Sequence, residues 1–174
     1  MQYTPAPLFD GGALARAAWG AVTIPQPSVE TNPRITTGDG VSGATVVGLD
    51  TWVWATGETP SQVRVTASAG SLSATVVASA SGLRVSAPDS VPDCHGFGVP
   101  WTQGAAEGSS RCTVEFTRSS AHLGGTTPLT VSVGYDVAWS ATDGTSGTLD
   151  PITTTSTTDL PVAEIQTINR DTSH

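Results

Sequence analysis

The sequence contains no lysine, and all seven of its basic residues are arginine. A P-loop needs the lysine of G-x-x-x-x-G-K-[ST] to neutralise nucleotide phosphates, so this motif is excluded, as is catalysis by a kinase or pyridoxal-phosphate lysine. No G-x-G-x-x-G element follows a strand and opens a helix, and dinucleotide binding therefore also lacks support. The sequence predicts no cofactor.

Charge of either sign is scarce. Charged residues make up 13% of the chain, and the formal net charge is −8, whereas an average soluble protein is about 25% charged. An acidic chain without a basic cluster cannot neutralise nucleic-acid phosphates and is repelled by anionic lipid surfaces. No run approaches 18 consecutive apolar residues. We therefore expect no nucleic-acid partner and no direct insertion into a membrane.

Cysteine is limited to Cys94 and Cys112. A structural zinc site needs four ligands, and the three histidines form no H-x-x-x-H pair, so we predict a disulfide and no metal site. Calcium binding by acidic loop residues remains an alternative, although they do not match an EF-hand. Disulfides persist outside the cytosol. Residues 1–5 lack the basic and apolar regions of a signal peptide. The protein is therefore either cytosolic or a mature secreted or cell-surface protein whose signal or anchor is absent from this sequence, and the cysteines favour the second interpretation.

Apolar and polar residues alternate in short segments, which is typical of β-strands with one buried face. The predicted strands are residues 46–55, 62–67, 72–78, 82–86, 111–117 and 129–139. Residues 152–158 and 160–168 add one last strand bent at Pro161, or two strands. In residues 129–139, six apolar side chains occupy every second position, which predicts the central strand. We predict an all-β fold, an immunoglobulin- or PKD-like antiparallel sandwich of about seven strands.

The first 45 residues differ in composition from the rest. Asp10 can cap a short helix that continues to Trp19, and Pro25 and Pro27 then form a polyproline-type linker. We interpret residues 1–45 as an N-terminal arm, residues 46–170 as the sandwich domain and residues 171–174 as a tail.

The aromatic residues are the candidates for a binding surface. Trp101 lies between the cysteines, in the predicted loop 87–110, where strand periodicity does not require a large side chain. It can stack on a ligand, or it can pack over the disulfide and plug the end of the sandwich. Phe97 lies in the same loop. Trp52 and Trp54 share one face of a predicted strand, and the sequence does not determine whether that face is turned to the core or to a partner.

Catalytic residues are not indicated. There is no G-x-S-x-G nucleophile motif, and the presence of Ser119, His122 and Asp136 does not amount to a signature. We therefore predict that the protein is not an enzyme.

Three motifs point to a resemblance: V-G-L-D-T-W-V-W at residues 47–54, L-T-V-S-V-G-Y-D-V-A-W at 129–139, and P-V-A-E-I-Q-T-I-N at 161–169. Together they resemble a family of secreted or membrane-anchored actinobacterial proteins of unknown function, whose members often carry the label "ATP/GTP-binding protein". Residues 129–133 also resemble the closing strand of a PKD or immunoglobulin-like domain. Residues 85–90 depart from that pattern, because the PKD turn W-x-F-G-D-G has lost its tryptophan and glycines.

The strand periodicity, the missing catalytic motifs and the low charge density favour a non-catalytic interaction or structural module. The resemblance implies that it lies at an actinobacterial cell surface, as part of a secretion or conjugation assembly. Its partner would be another cell-envelope protein or a cell-surface glycan. Two alternatives stay open at this point. One is a carbohydrate-binding module that uses a loop tryptophan, and the other is a nucleotide-binding enzyme, as the family label suggests.

Overall fold

The computed structural model describes residues 10–165 and confirms an all-β sandwich accompanied by one α-helix. The elements are α1 (Gly11–Gly20), β1 (Val29–Asn32), β2 (Thr45–Val46), β3 (Asp50–Ala55), β4 (Gln62–Ala69), β5 (Leu72–Ser79), β6 (Leu83–Ser86), β7 (Ser90–Cys94), β8 (Cys112–Phe116), a 3₁₀ helix (Ser120–Leu123), β9 (Thr127–Ala141), β10 (Ser146–Leu160) and β11 (Val162–Ala163). The first nine residues of the predicted arm, the end of the last predicted strand and the predicted tail 171–174 lie outside the described residues. The immunoglobulin- or PKD-like identity of the sandwich stays a prediction.

Two antiparallel sheets form the sandwich. The first has the strand order β1-β3-β8-β7, and the second has the order β10-β9-β5-β4, with β6 also paired to β9. Strands β2 and β11 form a small parallel pair beside them. Pro161, where the sequence predicted a bend, separates β10 from β11, since proline has no N–H to continue a ladder.

Strand β9 is the central strand, as its periodicity predicts. It pairs with β10 along one edge and with β5 and β6 along the other. Its alternate residues Leu129, Val131, Val133, Tyr135 and Val137 are buried. They belong to one core cluster with residues of the first sheet, so β9 supplies the largest share of the interface between the two sheets.

Helix α1 packs against the second sheet and places Leu14 and Ala15 in the same core. Its start is set by Asp10, whose Oδ1 accepts a hydrogen bond from the N–H of Ala13 at 2.7 Å. Strand β1 likewise belongs to the first sheet. The segment 1–45 thus contributes a helix and a strand to the sandwich, while the division of the chain at residue 45 stays a prediction.

Strand β7 was not predicted, because residues 87–110 had the composition of a loop. It pairs with β8 at the edge of the first sheet. Three of its five residues are exposed and Pro92 lies at its centre, so it shows neither alternation nor strong strand propensity. Proline is tolerated there because its missing N–H falls on an edge strand.

Candidate binding surface

The segment between the two cysteines is a loop whose two ends lie next to each other at the ends of β7 and β8. Cys94 and Cys112 are directly opposite each other in β7 and β8 and form the predicted disulfide. One residue further, the N–H of His95 donates to the carbonyl oxygen of Arg111 at 2.8 Å. The disulfide therefore joins neighbouring strands of one sheet and holds both ends of the loop together.

The first part of the loop is fastened to β3. The N–H of Ala55 donates to the carbonyl oxygen of Phe97 at 2.8 Å, and the Phe97 ring packs against the core. At Gly98, with φ +74°, an added Cβ would lie 2.1 Å from the carbonyl oxygen of Val53 and 2.7 Å from Cα of Trp54. Only glycine fits at this position, so the loop backbone lies directly on the strand.

The loop also touches the second sheet. The N–H of Leu83, at the start of β6, donates to the carbonyl oxygen of Gly96 at 2.9 Å. A Cβ added to Gly82 would lie 2.5 Å from Cα of Gly96, so two glycines meet backbone to backbone. Residues 94–98 are held by the disulfide, by β3 and by β6, and form a firm base.

Beyond this base, the loop exposes a short apolar tip, which we define as residues 99–101. Val99 is 48% exposed and Trp101 is 39% exposed, and Pro100 between them is also exposed. A large aromatic side chain that is exposed on an anchored loop costs little additional conformational entropy when it binds a partner. The tip is therefore suited to contact.

Trp52 and Trp54 do share a face, as their spacing predicts, and it is the outer face of the first sheet. Val53 between them points into the core and is fully buried. The two tryptophans are nevertheless only 8% and 9% exposed, and Gly98 lies against Cβ of Trp54. Trp54 therefore contacts the base of the loop, while Trp101 is the tryptophan of the loop whose ring a ligand can reach.

Ser119, His122 and Asp136 are not arranged as a catalytic triad. His122 Nδ1 lies 2.9 Å from the carbonyl oxygen of Ser119, and its Nε2 lies 2.8 Å from Oδ2 of Asp89. Both ring nitrogens therefore face acceptors, and neither is directed at a serine hydroxyl. The carboxylate beside His122 belongs to Asp89, whereas Asp136 lies on β9.

Acidic loop residues are dispersed. Asp89 contacts His122, Asp93 contacts His95, and Asp143 accepts hydrogen bonds from Thr145. Within residues 10–165 no group of three or more histidine, cysteine, aspartate or glutamate side chains is arranged to hold a metal ion.

An open groove of about 670 Å³ lies between residues 35–44, the 3₁₀ helix and residues 161–165. Ser120 is its most buried hydroxyl, and it is committed to structure: its Oγ donates to the carbonyl oxygen of Gly125 and accepts from the N–H of Val162. The exposed side chains Val41 and Ile165 make the rest of the lining mixed in polarity. Two further polar lining residues, Thr37 and Asp39, are hydrogen-bonded to each other, so they are engaged within the chain, as Ser120 is.

Comparison with protein families, with curated proteins and with solved structures finds no match to this chain. In the part of the chain that the structure describes, no helix is long and apolar enough to cross a membrane.

Proposed function

We propose that this protein is a non-catalytic extracellular interaction module that binds a partner at the cell surface through the apolar tip, residues 99–101. The observation that carries the proposal is the exposure of Val99 and Trp101 on a loop whose base is held on three sides. A rigid base favours binding because little of the loop has to be ordered on contact. The sandwich then acts as the support for this loop.

The disulfide supports an oxidising compartment, since cytosolic reductants keep most thiols reduced. The motifs at residues 47–54, 129–139 and 161–169 support placement at an actinobacterial cell surface, within a secretion or conjugation assembly. The partner we propose is another cell-envelope protein. The absence of lysine argues against the nucleotide-binding alternative, and the occupied nitrogens of His122 support a non-catalytic role.

A second candidate function is carbohydrate binding. It is favoured by one observation, the accessible indole of Trp101, because an aromatic face can stack on a sugar ring. The surrounding tip offers Val99 and Pro100, whose side chains have no hydrogen-bonding groups, whereas sugar recognition normally adds polar contacts. This difference favours a protein partner over a glycan.

The test measures binding of the labelled protein to isolated cell envelopes, before and after protease treatment. We expect Trp101→Ala to reduce binding by about tenfold or more, as is typical of an exposed aromatic anchor. Leu49→Ala is the matched control, because Leu49 is also an exposed apolar residue but lies outside the loop. We expect it to bind like the natural sequence.

Equal binding of Trp101→Ala and the natural sequence would contradict the proposal. Binding that survives protease treatment and is displaced by soluble cell-wall glycan fragments would favour the carbohydrate alternative. Retention of glycan binding by Trp101→Phe, with loss in Trp101→Ala, would assign that binding to stacking.

A further inference from the structure

Strand β10 is the longest edge strand in the described part of the chain. It runs from Ser146 to Leu160 and pairs only with β9, and no backbone hydrogen bond joins it to another element within residues 10–165. Every second N–H and C=O of an edge strand points away from its neighbour, which makes such an edge a template for another strand. Natural proteins usually protect these edges with proline, charge or bulges.

Features that prevent pairing with another strand are present at both ends of β10 and absent between these ends. The register shifts between Leu149 and Ile152, where Asp150 and Pro151 form a bulge, and Asp159 stands near the other end. Residues 152–158, which we call the open edge, read I-T-T-T-S-T-T. They contain no charge, proline or glycine, and six of the seven are β-branched, the class that favours strands.

Two hydrogen bonds establish which way the backbone of β9 faces. The N–H of Ala141 donates to the carbonyl oxygen of Thr145, on the β10 side, while the N–H of Thr142 donates to the carbonyl oxygen of Ser73, on the β5 side. Because backbone groups alternate along a strand, the odd-numbered residues of β9 face β10. The even-numbered residues face β5 and β6.

The pairing register between β9 and β10 determines which residues of β10 direct their backbone groups towards β9. Thr154 lies opposite Val133, and Ser156 lies opposite Val131, so the backbone groups of these two residues face β9. The residues between them direct their N–H and C=O groups to the outside. They are Thr153, Thr155 and Thr157, and all three are exposed.

We propose that the open edge pairs antiparallel with the open edge of a second copy of this chain, with the two-fold axis at Thr155. An added strand must match outward-facing residues with outward-facing residues. This condition is met when Thr155 lies opposite Thr155 and Thr153 lies opposite Thr157 of the second copy. In this register Asp159 falls opposite Pro151 of the second copy, so no carboxylate directly opposes another.

A buried hydroxyl without a partner supports the same register. Thr154 Oγ1 is buried and has no hydrogen-bond partner among residues 10–165, which is costly for a polar group. In the proposed pair, Thr154 lies opposite Ser156 of the second copy, at a position where opposed side chains are closest. Because Thr154 Oγ1 is buried within its own chain, it can reach the second copy only after rotation about χ1, which exchanges its hydroxyl and methyl groups. Ser156 Oγ of the second copy donates to the carbonyl oxygen of Pro27 at 2.6 Å, so its lone pairs remain available to accept from the rotated Thr154 hydroxyl.

The test is sedimentation equilibrium of the full chain, up to about 1 mM protein, because a single strand pair buries little area and forms a weak dimer. We expect a monomer–dimer equilibrium that tightens as salt is added, since each copy has a net charge of −8 and salt screens their repulsion. Thr155→Pro removes an outward N–H that makes no bond to β9, and we expect it to raise the dissociation constant by about tenfold or more.

Thr155→Lys is a second variant, which places two ammonium groups opposite each other at the axis and should weaken the dimer without loss of a backbone group. Ser140→Lys is the matched control, because Ser140 is exposed on the central strand β9, away from the open edge. We expect it to dimerise like the natural sequence, and far-UV circular dichroism should show that all three variants are folded.

Three results would overturn the proposal. The first is a monomer at every protein and salt concentration. The second is unchanged association in both Thr155 variants, or equal loss of association in Ser140→Lys. The third is a monomer whose open edge binds a basic extended peptide, with affinity that falls as salt is added, since this would show that a different chain occupies the edge.

Discussion

Gly98 is the residue on which the position of the apolar tip depends. Its φ of +74° lies in the left-handed region, and its missing Cβ allows the loop backbone to contact Val53 and Trp54. Both properties require glycine, one for conformational reasons and the other for steric reasons. Because the tip begins at the next residue, a change here displaces the tip as well.

We expect Gly98→Ala to lower the free energy of unfolding by about 2–4 kcal/mol, since it combines left-handed strain with overpacking against β3. Gly104→Ala is the control: Gly104 has φ +84° but no atom within 4 Å of an added Cβ. We expect it to lose only about 1–2 kcal/mol from strain. Urea unfolding measures both, and an equal loss in the two variants would contradict the close contact between loop and strand.

At the scale of elements, the β9–β10 hairpin contacts the first turn of helix α1. Asp143 lies in the turn between β9 and β10, and its Oδ2 accepts a hydrogen bond from the N–H of Gly11 at 3.1 Å. A Cβ added to Gly11 would lie 2.3 Å from the Thr145 hydroxyl, so the first turn of α1 rests directly on the hairpin. The partial positive charge of the helix N-terminus also favours a carboxylate there.

The same carboxylate makes the stability of the turn between β9 and β10 dependent on pH, with a smaller contribution from its contact with α1. The Thr145 hydroxyl, then the Thr145 N–H, and to a smaller extent the Gly11 N–H lower the pKa of Asp143 below its ordinary value by hydrogen bonding to the charged carboxylate. A lowered pKa in the folded state means that the carboxylate stabilises the protein above its unfolded pKa of about 3.9. This contribution is lost as pH falls through the lower, folded pKa.

We therefore expect Asp143→Asn to be less stable than the natural sequence at pH 7, and the difference to narrow as pH falls below about 4. Urea unfolding between neutral and acidic pH measures this difference. Asp136→Asn is the control for the loss of one negative charge, because Asp136 makes no side-chain hydrogen bond within the described residues. A difference that widens in acid would show that the hydrogen bonds to Asp143 do not favour its charged form.

At the scale of the whole molecule, the disulfide stabilises the fold, and it does so only in a compartment where the cysteines stay oxidised. The cysteines are 18 positions apart, and closing a loop of this size stabilises a folded chain by about 3 kcal/mol, largely by constraining the unfolded state. The strands on either side have other partners: β8 pairs with β3 as well as with β7. The sandwich therefore does not depend on the disulfide for its topology.

We expect Cys94→Ala combined with Cys112→Ala to lower the melting temperature by about 6–12 °C, while the β-sheet signal in circular dichroism survives. Binding through the tip should weaken as well, since the two ends of the loop are no longer joined by a covalent bond. Loss of the β-sheet signal would show that the disulfide is required for the fold. Free thiols in protein purified from an oxidising compartment would contradict the extracellular placement.

Much of the architecture follows from local pattern. A period of two predicted β3, β4, β5, β6, β8 and β9 to within a few residues, because an alternating segment must turn one face to a core wherever it lies. Turn residues separated these strands, and Asp10 marked the start of the helix. Strand β7 was missed because its pairing with β8 is not visible in its own residues.

The sequence by itself determined that the chain folds into β-strands, which residues share a face, that the two cysteines can pair, and which phosphate-binding motifs are impossible. Only the tertiary structure decided which faces are covered. It buried Trp52 and Trp54, exposed Trp101, placed Gly98 against β3 and left one edge of β10 without a neighbour. The physical reason is that alternation is a property of a single segment, whereas burial and edge pairing depend on segments that are distant along the chain.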